Sequence, residues 1–411
     1  MNQSQKLLFL LLRAALFEEK IDASKFVEAD WIQIFNLSDI QTVSSLVLDG
    51  IGMLPHSVLQ MPLDKKMLLI AKMQRMEQIN TLHRSVIVKI DKALKAEGIQ
   101  AVFMKGQTVA LRYPNPLHRT PGDIDFVVAP EDFDRTMAVM EKIGKVDHGL
   151  VHEHHGMAWV DGVTVEPHYK VHNYQRPSTD QAMQEMFSSV FPDKLFSADI
   201  DGYAVPVFSP TFESVFLISH MVNHVYEEGL GLRQVIDYAI FLHHCADKID
   251  WMQHHEWLYR MRMERAWRIF TCICVEYLGL SLPSQVEPFS YNERKWAAAL
   301  VEDIMRVGNF GRGEYVFEHH GLMDAWKNYC WVAKRCLHLN FVCPSEARWW
   351  IISKVKRFFW KKKKERKDEK DIRDDEGEFA IRWNNCDSLA FRIVLGYQNG
   401  SDGGEGRNKG Y

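Results

Sequence analysis

Apolar positions recur at helical spacing from Ser4 to Lys95. Leu8, Leu11, Leu12, Ala15 and Leu16 fall at i, i+3 and i+4, and Trp31, Phe35 and the Thr42–Leu48 segment continue the pattern. Asn36-Leu37-Ser38-Asp39 reads as a turn between two of these helices. Met67–Leu94 is predicted as one long amphipathic helix, with His83 and Arg84 on its solvated side. Near Gly98 the period changes. Ala101–Met104 reads as a short buried strand ending at Lys105-Gly106, followed by a helical turn or two to Tyr113. A proline-rich loop then delivers Arg119, and Gly122–Val128 reads as a second strand. Pro130-Glu131-Asp132 opens a helix over Phe133–Ile143. Two alternating runs, His152–Val160 and Val163–His168, flank Asp161-Gly162, a strong hairpin signal. After Ser209-Pro210-Thr211 helical spacing returns and persists: Phe212–Tyr226, a helix opening at Leu232, Trp251–Leu278, Tyr291–Met305, Trp326–Leu339 and Ser345–Trp360.

The expected organisation is an α+β chain: an N-terminal helical region (1–97), an α/β core (98–208), a C-terminal helical domain (209–360) and a charged tail (361–411). The tail lacks the apolar surface needed to order itself. At 411 residues, 46% hydrophobic and 25% charged, the chain has the composition of a soluble globular protein. Its net charge of −4 excludes a global electrostatic pull toward nucleic acid. Seven scattered cysteines form neither a disulfide framework nor a zinc pattern, and Cys272 and Cys274 read as buried apolar residues. That cysteine usage, with no apolar run of membrane-spanning length, sets a reduced cytoplasmic location as the expectation. The leucine-rich start is cut short by Arg13 and carries no cleavage site.

Candidate chemistry centres on Gly122-Asp123-Ile124-Asp125. Side chains alternate along a strand, so the two aspartates share a face, and paired carboxylates repel unless a cation sits between them. All-oxygen donors favour magnesium. Gly106, between strand and helix, lets a phosphate approach backbone N–H groups. Lys105 is placed to neutralise phosphate, and the Arg119 guanidinium matches phosphate oxygens. The plain alternative is a solvated edge strand whose aspartates discourage aggregation.

Lys105-Gly106, Arg119 and Gly122-Asp123-Ile124-Asp125 resemble the uncharacterised nucleotidyltransferase family of the DNA polymerase β-like superfamily. Gln107 stands where that superfamily usually has serine. The superfamily takes a third carboxylate from a later strand, and Glu166 answers to it, expected on an antiparallel neighbour of the aspartate strand. Gly231-Leu232-Arg233 with Asp237 is similar to the same family's helical domain. The resemblance implies a polymerase β-like core and metal-dependent transfer of a nucleoside monophosphate from a triphosphate to an acceptor hydroxyl, releasing pyrophosphate. Two Mg²⁺ ions on Asp123, Asp125 and Glu166 would serve it. Lys105, Gly106, Gln107, Arg119 and Gly122 would seat the nucleotide. His168, Arg233 and Asp237 would support the site or meet the acceptor, itself a small molecule, sugar or protein.

Other features compete. Arg233 and Asp237, one turn apart, are spaced for an ion pair within their helix. His148, His152, His154, His155, His168 and His172 are dense, but without cysteine partners they read as lining an acceptor pocket, with His168 supporting Glu166. His220, His224 and Asp237 loosely resemble a metal phosphohydrolase set. The basic, aromatic stretch 349–367 suits either a terminal bundle helix or weak contact with an anionic membrane surface. A silent scaffold that keeps the nucleotide fold is the alternative of another class.

Overall fold

In the computed structural model the leucine ladder forms α1 (Gln3–Phe17), capped by Asn2, whose side chain accepts from the Gln5 amide while Gln5 reciprocates. The model describes residues 1–55, 58, 63–147, 154–313, 321–353 and 355. The chain divides into Met1–Lys354, the unit set out below, and Val355–Tyr411, which lies almost wholly outside the described residues. The expected tail and the basic end of the 349–367 stretch therefore fall outside them, as do His148 and His152.

Helices α2 (Trp31–Ile40) and α3 (Ser44–Gly52) pack on α1, and α4 (Leu63–Ala96) follows. The expected turn at Asn36–Asp39 is instead the last part of α2, its Ser38 hydroxyl bonded back to the Phe35 carbonyl at 2.7 Å. His83 and Arg84 of α4 are buried rather than solvated, and Arg84 pairs with Asp201 at 2.9 Å.

The α/β part runs β1 (Val102–Met104), α5 (Gly106–Ala110), β2 (Ile124–Val127), α6 (Phe133–Ile143), β3 (Lys145–Asp147), β4 (Met157–Val160), β5 (Val163–His168), α7 (Pro177–Val190), β6 (Phe196–Ile200) and β7 (Tyr203–Val207). The strands form one mixed sheet in the order β3-β4-β5-β2-β1-β7-β6. Asp161 and Gly162 both have positive φ, at 51° and 82°, and close β4 onto β5 as the sequence predicts. The same dipeptide at Asp201-Gly202 closes β6 onto β7, with φ of 52° and 85°. That second hairpin and α7 carry readable signals that the sequence reading passed over.

The pairing of β2 with β5 differs from expectation: it is parallel, not antiparallel. After β2 the chain crosses through α6 to the sheet edge at β3, then steps back through β4 to β5, which lies beside β2 in the same direction.

Alternation sorts the strand residues into two faces. Phe103, Ile124, Phe126, Val163 and Val165 pack against Val86, Ile90 and Leu94 of α4 and Val139 and Met140 of α6. The opposite face carries Val102, Met104 and Val127 into a second, larger core. That core is built from α8 (Pro210–Glu227), α9 (Leu232–Cys245), α10 (Trp251–Met261), α11 (Glu264–Glu276), α12 (Tyr291–Val307), α13 (Gly321–His338) and helices α1 to α3. The expected single helix over Trp251–Leu278 is broken at Arg262, whose φ of 56° ends α10. A further helix over 344–353 places Trp350 in the core, 1% exposed.

Gln41 ties the N-terminal helices to this bundle, donating to the Ile304 carbonyl at 2.7 Å and accepting from the Leu232 amide at 2.9 Å. Where α3 crosses α1, a Cβ on Gly50 would sit 2.3 Å from the Leu11 carbonyl oxygen. Gly50→Ala should therefore push the helices apart and cost about 1–3 kcal/mol, read as a lowered urea midpoint at unchanged slope. An unchanged midpoint would show that the crossing relaxes freely.

Candidate active site

The carboxylates converge because strand parity and register agree. Asp123, Asp125, Glu166 and His168 all occupy the face of the sheet that turns toward the helical core, opposite Ile124, Phe126 and Val165. In the parallel β2–β5 pair Asp125 lies directly beside Glu166, and Val127 beside His168. Oxygens of Asp125 and Glu166 and a nitrogen of His168 lie within 4.8 Å of one another, a spacing suited to one cation. Asp123, one pleat earlier, stands at the exposed rim.

Lys105 closes the group. It ends β1 with φ of 54°, a left-handed conformation unusual for a non-glycine residue, followed by Gly106 at φ 48°. This turn brings its ammonium 3.1 Å from Asp125 Oδ1. His168 Nε2 lies 3.0 Å from the same oxygen and 3.8 Å from Glu166.

The electrostatics follow. Burial works to raise the Asp125 carboxyl, but the Lys105 charge and the His168 hydrogen bond outweigh it and hold that group below its ordinary range. The Asp125 charge raises its neighbour Asp123. Burial, then the Asp125 and Asp123 charges, push Glu166 up to about 8. Without a cation the cluster thus retains a proton at neutral pH. Burial works against the Lys105 ammonium, and the three carboxylates more than compensate, raising its pKa.

A cleft of about 230 Å³ opens over this cluster. Its other wall is α8 and α9, which contribute His220, His224, Arg233 and Asp237; His154 and His172 complete the sides. His220 and His224 are thus brought to the carboxylates, which sequence spacing alone did not indicate. Asp237 is not turned toward them. A larger cleft of about 690 Å³, lined by Arg112, Phe196, His243 and Lys248 among others, includes none of the carboxylate cluster.

Two expected nucleotide contacts are otherwise engaged. Arg119 is 5% exposed, and its Nε and Nη2 each donate to Asp237 at 2.8 Å. Tyr113 donates to the same carboxylate at 2.6 Å. The Arg233–Asp237 pair expected within α9 is therefore replaced by Arg119–Asp237. Arg233 reaches instead to the Thr120 and Pro121 carbonyls at 3.2 and 3.4 Å, at the cleft edge beside Gly122. Gln107 is buried and turned away from the cleft. It donates to Asn80 of α4 at 2.6 Å, and Asn80 in turn holds the Leu117 and Arg119 carbonyls at 2.6 and 2.9 Å. Asn80 and Tyr113 are supporting residues that sequence reasoning missed, since their partners lie far away in the chain.

The loop carrying Arg119 is anchored a second time. His118, packed between α3 and α4, lies 2.8 Å from Asp49 and 3.0 Å from Glu77. Burial disfavours its charge, yet hydrogen bonds to Asp49 and Glu77 prevail and raise its pKa.

Removing one partner of a buried pair strands the other charge. Arg119→Met should cost about 3–5 kcal/mol in chemical denaturation, and adding Asp237→Leu should recover part of it. Additive losses in the double variant would refute the coupling. For His118 the folded pKa exceeds the unfolded one. Its bridge thus contributes fully below the unfolded value of about 6.5 and is lost as pH rises through the folded value. The Tm gap between the native chain and His118→Gln should accordingly shrink from pH 6 to pH 8.5; a constant gap would mean the ring is not charged.

Among solved structures, the chain is similar in part to the antibiotic-resistance factor ANT(2'')-Ia. That match has 16% identity over 44% of this chain and 94% of the other, with a TM-score of 0.33. It is also similar to an antigenic nucleotidyltransferase-like protein from Paracoccidioides brasiliensis, at 14% identity over 41% of this chain and 75% of the other, TM-score 0.25. No curated protein matches the sequence. A family model described as Uncharacterised nucleotidyltransferase matches residues 27–279, more than half of the chain and the whole of the carboxylate site, and the protein belongs to that family.

Proposed function

We propose that the protein transfers a nucleoside monophosphate from a nucleoside triphosphate to an acceptor hydroxyl, releasing pyrophosphate, with two Mg²⁺ ions as cofactors. One observation carries this reading: Asp125 and Glu166 stand side by side on parallel strands, with Asp123 on the same face and Lys105 at the strand end.

The donor set fits divalent cations. Three carboxylates meet in one cleft, and burial together with their mutual repulsion keeps a proton on Glu166 that a cation would displace. Asp123, Asp125 and Glu166 would hold the ions, which, when bound, neutralise triphosphate charge and make the acceptor hydroxyl more acidic. The acceptor oxygen bonds to the α-phosphorus as the bond to the β-bridging oxygen breaks. The hydroxyl proton passes to Glu166 in its ionised form. Lys105 and the Gly106 amide flank the position for the phosphates. Arg233 replaces Arg119 as the guanidinium at the cleft edge, while Arg119 and Asp237 tie the loop before β2 to α9.

Location in the cytoplasm belongs to the same reading; among the described residues no helix is long and apolar enough to cross a membrane. The test is incubation of the purified protein with each labelled triphosphate, Mg²⁺ and cell extract. Label should pass to a defined product. Asp123→Asn and Glu166→Gln should each lower pyrophosphate release by about 10²-fold or more, the scale of a positioned proton acceptor. Their Tm should hold or rise, because each change removes a repelling group. No label transfer from any triphosphate would favour the silent scaffold instead.

A further inference from the structure

Histidines four apart on a helix project from one face, one turn above the other. On α8, His220 and His224 do more than share a face: their Nε2 atoms meet in a hydrogen bond at 3.0 Å, with the rings nearly perpendicular at 4.4 Å between centroids, and a bound cation would take the place of the shared proton. Two imidazoles bound to one zinc-like ion at about 2.0–2.1 Å place their nitrogens roughly 2.8–3.0 Å apart at a square angle and roughly 3.3–3.4 Å apart at a tetrahedral one, so the pair as it stands needs at most a few tenths of an ångström of opening. We propose that His220 and His224 form a nitrogen-donor site for a transition-metal cation on the helical wall of the cleft, distinct from the carboxylates on the sheet.

The surroundings favour this use. α8 is an 18-residue helix capped by Ser209 and buried along most of its length, so the two rings are mounted on a rigid element. His172 packs edge-on against His220 at 6.0 Å, and Phe310 against His224 at 5.2 Å, fixing both rings from outside. Burial keeps both imidazoles neutral, with His224 brought down to about 3, so each can offer a lone pair. The cleft lining carries five carboxylates and three basic groups; of these, Lys105 and Arg233 bear on the two rings, and Asp125 opposes them at His224. Both residues line the cleft, so the rest of the coordination shell comes from water or from a donor atom of a bound ligand.

The donor type selects the ion. Neutral imidazole suits Zn²⁺, Co²⁺ and Ni²⁺, whereas carboxylate oxygens suit Mg²⁺. The oxygen-rich cluster of Asp125, Glu166 and His168 uses none of the α8 residues, and Asp237 is committed to Arg119. The site therefore stands whether or not nucleotidyl transfer is the protein's reaction.

Zn²⁺ titration of the purified full chain in excess Mg²⁺ tests it by calorimetry. One Zn²⁺ per chain is expected, bound equally by the native protein and by the Asp125→Asn/Glu166→Gln variant. His220→Gln and His224→Gln should each weaken binding by at least about 100-fold, the upper range found on disturbing residues around a metal. X-ray absorption of the native protein loaded with one equivalent of Zn²⁺ needs no variant and should count at least two imidazole ligands. Fewer than two imidazoles, no Zn²⁺ uptake, or binding that follows the carboxylates rather than the histidines overturns the proposal.

Discussion

Carboxylates forced together by sheet register are the constraint around which this molecule is arranged. The parallel pairing of β2 and β5 leaves Asp125 and Glu166 no freedom to separate, since each is fixed by the backbone hydrogen bonds of its own strand. Close, partly buried like charges of this kind persist only when something else supplies positive charge. Lys105 supplies part of it. Its left-handed backbone is a strained conformation of about 1–3 kcal/mol, and such strain is retained where surrounding structure enforces it for a purpose. One ammonium against three carboxylates leaves the cluster under-neutralised, so the Asp125 and Asp123 charges add to burial in pushing Glu166 up to about 8.

The second organising contact lies at the hinge between sheet and helices. Arg119 and Asp237 are far apart in the chain, yet meet in a buried two-pronged pair. Such a pair contributes little net stability, because desolvating both charges offsets their attraction. Its value is geometric. A guanidinium fork accepts only one coplanar arrangement with a carboxylate, so the loop before β2 and the first turns of α9 take one relative position. Asn80 and His118 fix the same loop from α4, so the rim of the cleft is held from three sides.

Much of this was legible because it is local. Strand alternation put Asp123 and Asp125 on one face, Asp161-Gly162 marked its hairpin, and counting outward from that turn placed Glu166 on a strand. The direction in which β5 meets β2 was not legible, because it depends on β3 taking the outer edge with β4 inside it, a choice settled by α6 and the core beneath it. Arg119 was read as a free phosphate ligand for a similar reason. Its partner Asp237 sits on a distant helix, where the nearer Arg233 offered an equally good local pairing. Gln107 illustrates the limit of reading a motif position by position: the residue in serine's place turns inward to Asn80 instead of toward the cleft. His83 and Arg84 looked solvated because their neighbours, Arg119 and Asp201, come later in the chain.

The neutral histidine wall has a consequence for the carboxylates facing it. Were His172, His220 and His224 protonated, they would place several positive charges across a cleft of about 230 Å³ and satisfy the acidic cluster without any ion. Burial, reinforced for His220 and His224 by the Lys105 charge, prevents this by holding their pKa values low. The acidic cluster therefore gains no neutralising charge from this wall. Carboxylate oxygens on the sheet and neutral imidazole nitrogens on α8 then line one cleft without cancelling one another. That arrangement requires the two walls to come from separate elements held rigidly across a gap, which the Arg119–Asp237 pair and the shared core of α8 and α9 provide.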